Sequence, residues 1–510
     1  MDRGFLAGEA TRRGVSLDAL RIVGHCNRRS THLRRRLKVL ILHSNNPLAQ
    51  VRRTSFNHAF CMLKYAPWNS YELHAFGEPI SRRLRQERFD AIILDTTFLC
   101  WRWGKPREEY FDHLLREYSF IAGSDAIKIA LPQDEYDHSA VLDDWMADWR
   151  VDLIYSVCYE HRDVFYPKAA MHAEIAEGLT GYIDDADVAM MHRIARPFVE
   201  REIDVGYRAR NLPPYFGRFG RMKAEIGERF LAASIGLGLH LDISLDPKQS
   251  LAGEDWLRFL ANCRFTLGCE SGSSLLDPSG GIRRACDVYL TDHRDADFQE
   301  IEAACFPNED MRTIFSAISP RLFEAALAGT CQILVPGKYL GILKPDEHYI
   351  PLAPDCSNIE AVHTQLTDWR RARERAEACR AALLGSERLT YHWFVRDLIN
   401  RIENKLEGRH MGGDAIDGGT IETSISDAER IHQLTEIAVA MVLRGSHDLR
   451  ETILAQASAR AAIGDLREGV LAMPFRGDCI DQASGSRTVK FIWKAMPLRL
   501  RRAILQQLYR

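Results

Sequence analysis

Long apolar runs are missing from this 510-residue chain: none approaches the roughly 18 residues that a membrane-crossing helix needs, so an integral membrane protein is not expected. The twelve cysteines include no C-x-x-C pair, which removes the commonest metal-ligand spacing. Cys263 and Cys269 flank a strand-like run and are read as small buried hydrophobes rather than ligands. The basic opening, residues 1–36, lacks the apolar middle and small-residue cleavage site of a secretory signal. It is read as a solvated lead-in, with a targeting peptide as the alternative. Reduced thiols and a cytoplasmic location are therefore expected. A large charge of either sign is also absent. The formal net charge is −3, which gives no global case for nucleic-acid binding.

Two nucleotide signatures are missing as well. No Gly-Lys-Ser/Thr follows the glycine-rich stretch 268–281, so it is not a Walker loop, and it lacks the G-x-G-x-x-G of a dinucleotide site. What remains is ordinary globular composition, 46% hydrophobic and 27% charged, in a chain long enough for two or three domains with a sizeable core.

Buried strands alternate with helices along most of that length. "LKVLILHSN" (37–45), "FDAIILDTT" (89–97), "AIKIALPQDEYD" (126–137) and "VDLIYSVC" (151–158) read as strands covered on both faces, with a helix from about Ser55 to Lys64 after the first. Residues 159–202 read as mainly helical. A second series follows, with strands at 201–210, 239–244 and 331–335 and a strand running into a loop at 265–274. The expected fold class is therefore α/β, with two Rossmann-like parallel sheets and a helical C-terminal appendage. The expected divisions are 1–36, 37–195, 196–375 and 376–510, the last carrying a Gly-rich break at 408–420. The final residues put Leu500, Ile504 and Leu508 on one helical face with arginines nearby. That pattern is read as a helix docked on its own domain, with peripheral membrane contact as the alternative.

"SPRLFEAALAGTCQIL" (319–334) carries the chemistry. Ser319 suits an N-cap, Pro320 the first helical position, and Gly329 a left-handed terminus before the next strand. A helix start of this kind suits a phosphate, and Arg321 in its first turn opposes the usual acidic preference there. Glu324, one turn in, can accept two hydrogen bonds from a vicinal diol such as a ribose. An i, i+3 ion pair between Arg321 and Glu324 on a solvated face is the alternative.

This stretch resembles the nucleotide-sugar signature of glycosyltransferases with two facing Rossmann domains, the GT-B fold, and in particular a divergent bacterial branch of family 1/4-like proteins with an SPRxFEAxxxGT motif. The resemblance spans roughly residues 37–400. It implies that Glu324 holds the donor ribose. Where many members carry a second glutamate eight positions earlier, Ser316 stands here, and the stereochemistry stays open.

The resemblance also implies that the loop after the first strand of the second domain holds the donor diphosphate, which singles out Arg208, Arg210 and Lys223. Arginine offers a planar two-pronged donor and lysine a point charge. By position Glu270 and Gly272 resemble the loop that meets the donor, and Ser273 and Ser274, with Ser271, offer donors to phosphate or sugar hydroxyls. An ordinary mobile loop is the alternative there. Asp242 ends the next strand, where base or ribose would lie. The first domain is expected to bind the acceptor, with Asp134 and Glu135 as the base candidates best placed by strand order. Residues 44–46, Asp95, His58 and His138 are weaker ones, and Trp101 and Trp103 offer either sugar stacking or core packing. Arg208, Lys223 and the start of the 320 helix would stabilise the leaving diphosphate.

The resemblance implies a metal-independent transferase, and no Asp-x-Asp at a strand end suggests a metal here; a nucleotide diphosphate-sugar would be the co-substrate, with no other cofactor. The acceptor would be a glycan or lipid-linked hydroxyl, as in bacterial surface polysaccharide synthesis; nucleic acid is not an expected partner. The rivals are a nucleotide-sugar epimerase or hydrolase on the same fold and a catalytically silent binding scaffold.

Overall fold

The computed structural model describes residues 36–44, 53–251 and 253–410. The expectations for residues 1–35, Asn45, Asn46 and 411–510 lie outside them. The first unit contains β1 (Lys38–His43), α1 (Arg53–Tyr65), β2 (Ser70–Ala75), β3 (Ala91–Leu94), β4 (Ile127–Ala130), β5 (Leu153–Ser156) and β6 (Glu174–Glu177). They form one sheet, β2-β1-β3-β4-β5-β6, in which every pair is parallel. Parallel strands need covering on both faces. Val39, Ile41, Ile93 and Ile129 accordingly pack on Phe56 and Phe60 of α1, whereas Leu40, Leu42, Ile92 and Leu94 face Phe111 and Trp145.

The second unit runs β7 (Ile203–Arg208), α2 (Gly217–Ala233), β8 (Leu241–Ser244), α3 (Gly253–Asn262) and β9 (Cys263–Gly268). A short antiparallel pair, β10 (Ser271–Ser273) and β11 (Phe315–Ala317), then leads to α4 (Pro320–Leu327), β12 (Cys331–Leu334) and β13 (Ile350–Pro351). The second sheet has the order β13-β12-β9-β7-β8 and is again parallel. Both Rossmann-like sheets of the expected α/β architecture are thus present. Each reverses its strand order once, between β1 and β3 and between β7 and β9. The crevices that parallel sheets offer ligands lie at the carboxyl ends of those strands.

Three edge strands of the parallel sheets fall where none is expected. β2 and β6 are the two edge strands of the first sheet, and β13 is an edge of the second. Glu174, at the start of β6, and its neighbours are half exposed, so the strand lacks the continuous apolar run of a central one. The charged stretch after residue 357 is two helices rather than one, since Asp368 caps the start of α5 (Trp369–Leu384) through the Arg371 amide. The last described helix, α6 (Tyr391–His410), returns to the first unit: Leu398 and Ile402 join the apolar cluster of Val39 and Ile129, and Tyr155 donates to Asp397 at 2.7 Å. No helix among the described residues is long and apolar enough to cross a membrane.

Burial in the first unit sets one pH dependence. His74 on β2 is buried, its Nε2 lies 2.9 Å from the Tyr118 hydroxyl, and burial lowers its pKa from 6.5 to about 4. The unfolded chain therefore takes up a proton that the folded one refuses between those two values. This contribution to stability is intact above pH 6.5 and is lost as pH falls towards about 4. A His74→Phe variant is expected to lose less stability on acidification through this window, measured as the urea midpoint on either side of it. An acid slope equal to that of the wild type would contradict the assignment.

Candidate functional site

At the strand-order reversal of the second sheet, Tyr207 from β7 and Gly268 and Cys269 from the end of β9 line a cavity. Lys223 reaches it from α2, Trp256 and Leu260 from α3, and Ser319, Arg321 and Leu322 from the start of α4. Lys223 donates to Ser271 Oγ at 2.5 Å. Burial lowers the pKa of its ammonium, and the Arg321 charge adds to this against the opposite pull of Cys269 and Asp134. Arg321 donates to the backbone carbonyl of Arg208, and its guanidinium lies 5.2 Å from the Trp256 ring. Among the described residues, neither cation makes an ion pair with a carboxylate. Two cations share one pocket, although like charges in a desolvated place raise each other's energy.

The start of α4 adds to that positive field. Ser319 occupies the N-cap position with Pro320 as the first helical residue, as the sequence predicts, but its hydroxyl makes no capping hydrogen bond. The start of α4, and with it the positive end of the helix dipole, therefore lies at the cavity without a side-chain cap. Gly329 ends the unit at φ +64°.

Glu324 lies on the same helix, one turn on. Its Oε2 accepts the Trp256 indole N–H at 2.7 Å, and it lines an adjoining cavity with Thr54, Asn57, Tyr182 and Tyr391, where α4 meets the first unit and α6. Trp256 thus stands between Glu324 and the Lys223–Arg321 pocket. No sequence motif singles out this tryptophan. Its only sequence signal is a place on the helix "GEDWLRFLANCR" leading into β9, since no local pattern reports the 68-residue separation from Glu324.

Several expected ligands have other duties. Arg208 is turned back on the sheet: its guanidinium pairs with Asp242 Oδ1 at 2.8 Å, donates to the carbonyls of Asp242 and Gln249, and lies 4.4 Å from the Phe259 ring. Arg208 and Asp242 therefore occupy one another, and what Arg208 presents towards the pocket is its carbonyl. Arg210 is exposed on the loop beyond. Ser273 and Ser274 are buried structural links, with the Ser273 hydroxyl within hydrogen-bond reach of the Phe216 and Leu275 carbonyls and Ser274 bonding Asp310 at 2.5 Å. Asp310 also accepts the Arg218 amide at 3.0 Å, so an internal carboxylate occupies an amide at the start of α2. Glu270 is buried and accepts the Tyr339 amide at 2.9 Å, which ties the loop after β12 to the end of β9. Gly272 is required by its backbone, at φ +133° in the β10–β11 pair.

On the first-unit side, Glu135 is corrected as a base candidate. It is fully buried, its Oε2 accepts the amides of Val157 and Cys158, and its Oε1 accepts the Tyr166 hydroxyl, so no acceptor can reach it. Burial raises its pKa despite these bonds. Asp95 is likewise an internal cap, accepting from the Thr97 amide and hydroxyl. His58 is buried 3.9 Å from Asp95, and His138 is bonded to Asp137 at 2.6 Å. Trp101 donates to Ser44 and packs on Phe76, and Trp103 donates to the Asp137 carbonyl, so both are held within the fold. Asp134 is different. It sits at φ +49°, half-buried, accepts the Tyr136 hydroxyl at 2.6 Å, and its charge reaches Lys223 in the other unit.

No protein-family model matches the sequence, and no curated protein matches it. Among solved structures, the chain is similar to Anabaena HepE in complex with UDP-glucose, at 12% identity and a TM-score of 0.39 over 73% of this chain and 100% of that one. It is also similar to sucrose-phosphate synthase from Thermosynechococcus elongatus, at 11% and 0.38 over 73% and 100%. A third is AviGT4, a glycosyltransferase involved in avilamycin A biosynthesis, at 13% and 0.36 over 73% and 98%. At such identity and superposition, the chemistry of this chain has to come from its own side chains.

Proposed function

We propose that the chain is a GT-B-like glycosyltransferase that moves a sugar from a nucleoside diphosphate-sugar to a hydroxyl acceptor. One observation carries this: Lys223, Arg321 and the uncapped start of α4 converge at the strand-order reversal of the second sheet, with neither side chain in an ion pair among the described residues. A cationic pocket of this kind suits a diphosphate. Glu324, fixed beside it, suits the ribose diol.

In the transfer step the acceptor oxygen bonds to the anomeric carbon as the bond from that carbon to the diphosphate oxygen breaks. The acceptor proton goes to a base, and the negative charge left on the diphosphate is met by Lys223, Arg321 and the amides of α4. Asp134 is the carboxylate proposed as that base, because it lies half-buried beyond the end of β4 and its charge acts on Lys223. Arg208 acts at one remove, by offering the carbonyl that holds Arg321. The acceptor is a glycan or lipid-linked alcohol, as for a surface polysaccharide, and the site calls on no metal.

A silent binding scaffold is the second reading, favoured by Ser316, which pairs with Gly272 where a carboxylate would stand in the resembling enzymes. Release of nucleoside diphosphate from UDP-glucose, GDP-mannose, ADP-glucose and dTDP-glucose separates the readings. Release that accelerates when hydroxyl acceptors are added is the expected result. Sugar interconversion without release would indicate the epimerase, and binding without turnover the scaffold; either would overturn the transferase.

A further inference from the structure

The indole of Trp256 touches both side chains that the preceding proposal assigns to the donor. Its N–H donates to Glu324 Oε2 at 2.7 Å, and its ring lies 5.2 Å from the Arg321 guanidinium. Arg321 and Glu324 are three residues apart on α4 and so lie on neighbouring positions of one helix face. Trp256 approaches that face from α3 and is itself braced by Phe259, whose ring is stacked at 5.7 Å. Phe259 in turn lies under the Arg208 guanidinium at 4.4 Å, and Arg208 supplies the carbonyl that Arg321 binds. A continuous chain of contacts therefore runs Arg208, Phe259, Trp256, Glu324, with Arg321 held from both ends.

We infer that Trp256 is a positioning residue for ribonucleotide recognition, holding Glu324 by one carboxylate oxygen so that the carboxylate is set for the ribose 2′- and 3′-hydroxyls. This rests on the nucleotide-donor reading of the pocket. A glutamate side chain has three rotatable torsions, and an indole N–H to one oxygen removes much of that freedom before the ligand arrives. The bond is charge-assisted, the stronger kind, and a prearranged acceptor loses less on binding than one ordered by the ligand. The ring contributes separately, since an arginine over an aromatic face is attracted to it. The N–H and the ring thus serve different parts of the ligand, the ribose through Glu324 and the diphosphate through Arg321.

That division gives the test. UDP, GDP, ADP and CDP, each beside its 2′-deoxy counterpart, are titrated calorimetrically into the full-length wild type and into Trp256→Phe, which keeps a ring and drops the N–H. Thermal unfolding of the free proteins checks that the variant is folded. Wild type is expected to prefer one ribonucleotide over its deoxy form by roughly tenfold, since a site built for a hydroxyl rejects the analogue without it. Trp256→Phe is expected to lose most of that ratio while binding the deoxy form as wild type does, and Trp256→Ala to weaken both forms. A general packing defect would weaken both forms alike in Trp256→Phe and would leave the ratio standing. Retention of the wild-type ratio in a folded Trp256→Phe would overturn the inference while leaving the donor site in place. Absence of binding by any of the four nucleotides to the wild type would instead overturn the donor-site proposal itself.

Discussion

Replacing Lys223 and Arg321 together by methionine is expected to lower the affinity for a nucleoside diphosphate by at least about 100-fold. Each cation stands to make a charge-assisted hydrogen bond worth about 1.5–3 kcal/mol, and the pair shares one pocket, so the two losses will not simply add. Methionine keeps much of the length and apolar stem of both side chains and should relieve the repulsion between the two charges in the free protein. The double variant is therefore expected to be no less stable than wild type while binding far more weakly. Arg229→Met provides the control: Arg229 lies on the same helix but is exposed and is paired with Glu225.

A pH dependence follows from the same pocket. Binding needs the Lys223 ammonium protonated, and burial has already lowered its pKa in the free protein. A bound diphosphate favours the charged form and raises the pKa again, so binding takes up a proton on the alkaline side. Affinity is full below the lowered value and falls as pH rises through it, before the region near 10.4 where an ordinary lysine would titrate. Lys223→Met should remove that slope, and an unchanged slope would assign it to another group.

Gly272→Ala is expected to be the most damaging single change to the fold around the site, at about 3 kcal/mol or more. A Cβ built at Gly272 would stand 1.8 Å from the Phe315 carbonyl oxygen, which belongs to the paired strand and cannot rotate away. The backbone conformation, at φ +133°, is closed to an alanine as well. Relief requires β10 and β11 to separate, which would displace Ser271, the hydroxyl that Lys223 holds. Loss of stability in urea and loss of nucleotide affinity are therefore expected together. Stability equal to wild type would show that the β10–β11 pair yields more easily than its contacts indicate.

The central strands of both sheets were legible because a parallel strand covered on both faces must be a run of apolar residues, as "KVLILH" is in β1. Of the four edge strands only β8 was; β2, β6 and β13 were not. Half of an edge strand meets solvent, and "EIAE" in β6 has the composition of a helix or loop. The beginning and end of α4 could be read from Ser319, Pro320 and Gly329, because capping is local chemistry. Lys223 and Arg321, which the sequence singles out separately, line one cavity.

The errors share a different cause. Arg208, Asp242, Glu135, Ser273 and Ser274 all have the right chemistry near the right strand ends. The direction of a side chain at such an end is decided by partners tens of residues away: Gln249 and Asp242 for Arg208, Val157 and Tyr166 for Glu135, and Asp310 for Ser274. A charged residue after a buried strand can face the crevice or pin the loop, and its sequence neighbours do not say which. Trp256 escaped notice for the same reason, since its partner Glu324 is fixed only when α3 and α4 come together on the sheet.

Calorimetric titration of UDP, GDP, ADP, CMP and dTDP into wild type and Glu324→Ala is the most direct measurement of whether the second sheet carries a nucleotide-donor site. Binding of one nucleoside diphosphate to the wild type, weakened by about 1.5–3 kcal/mol in the variant as for a lost charged hydrogen bond, is the result the cationic pocket and the helix start predict. Absence of binding by every nucleotide, or binding that Glu324→Ala leaves unchanged, would contradict it.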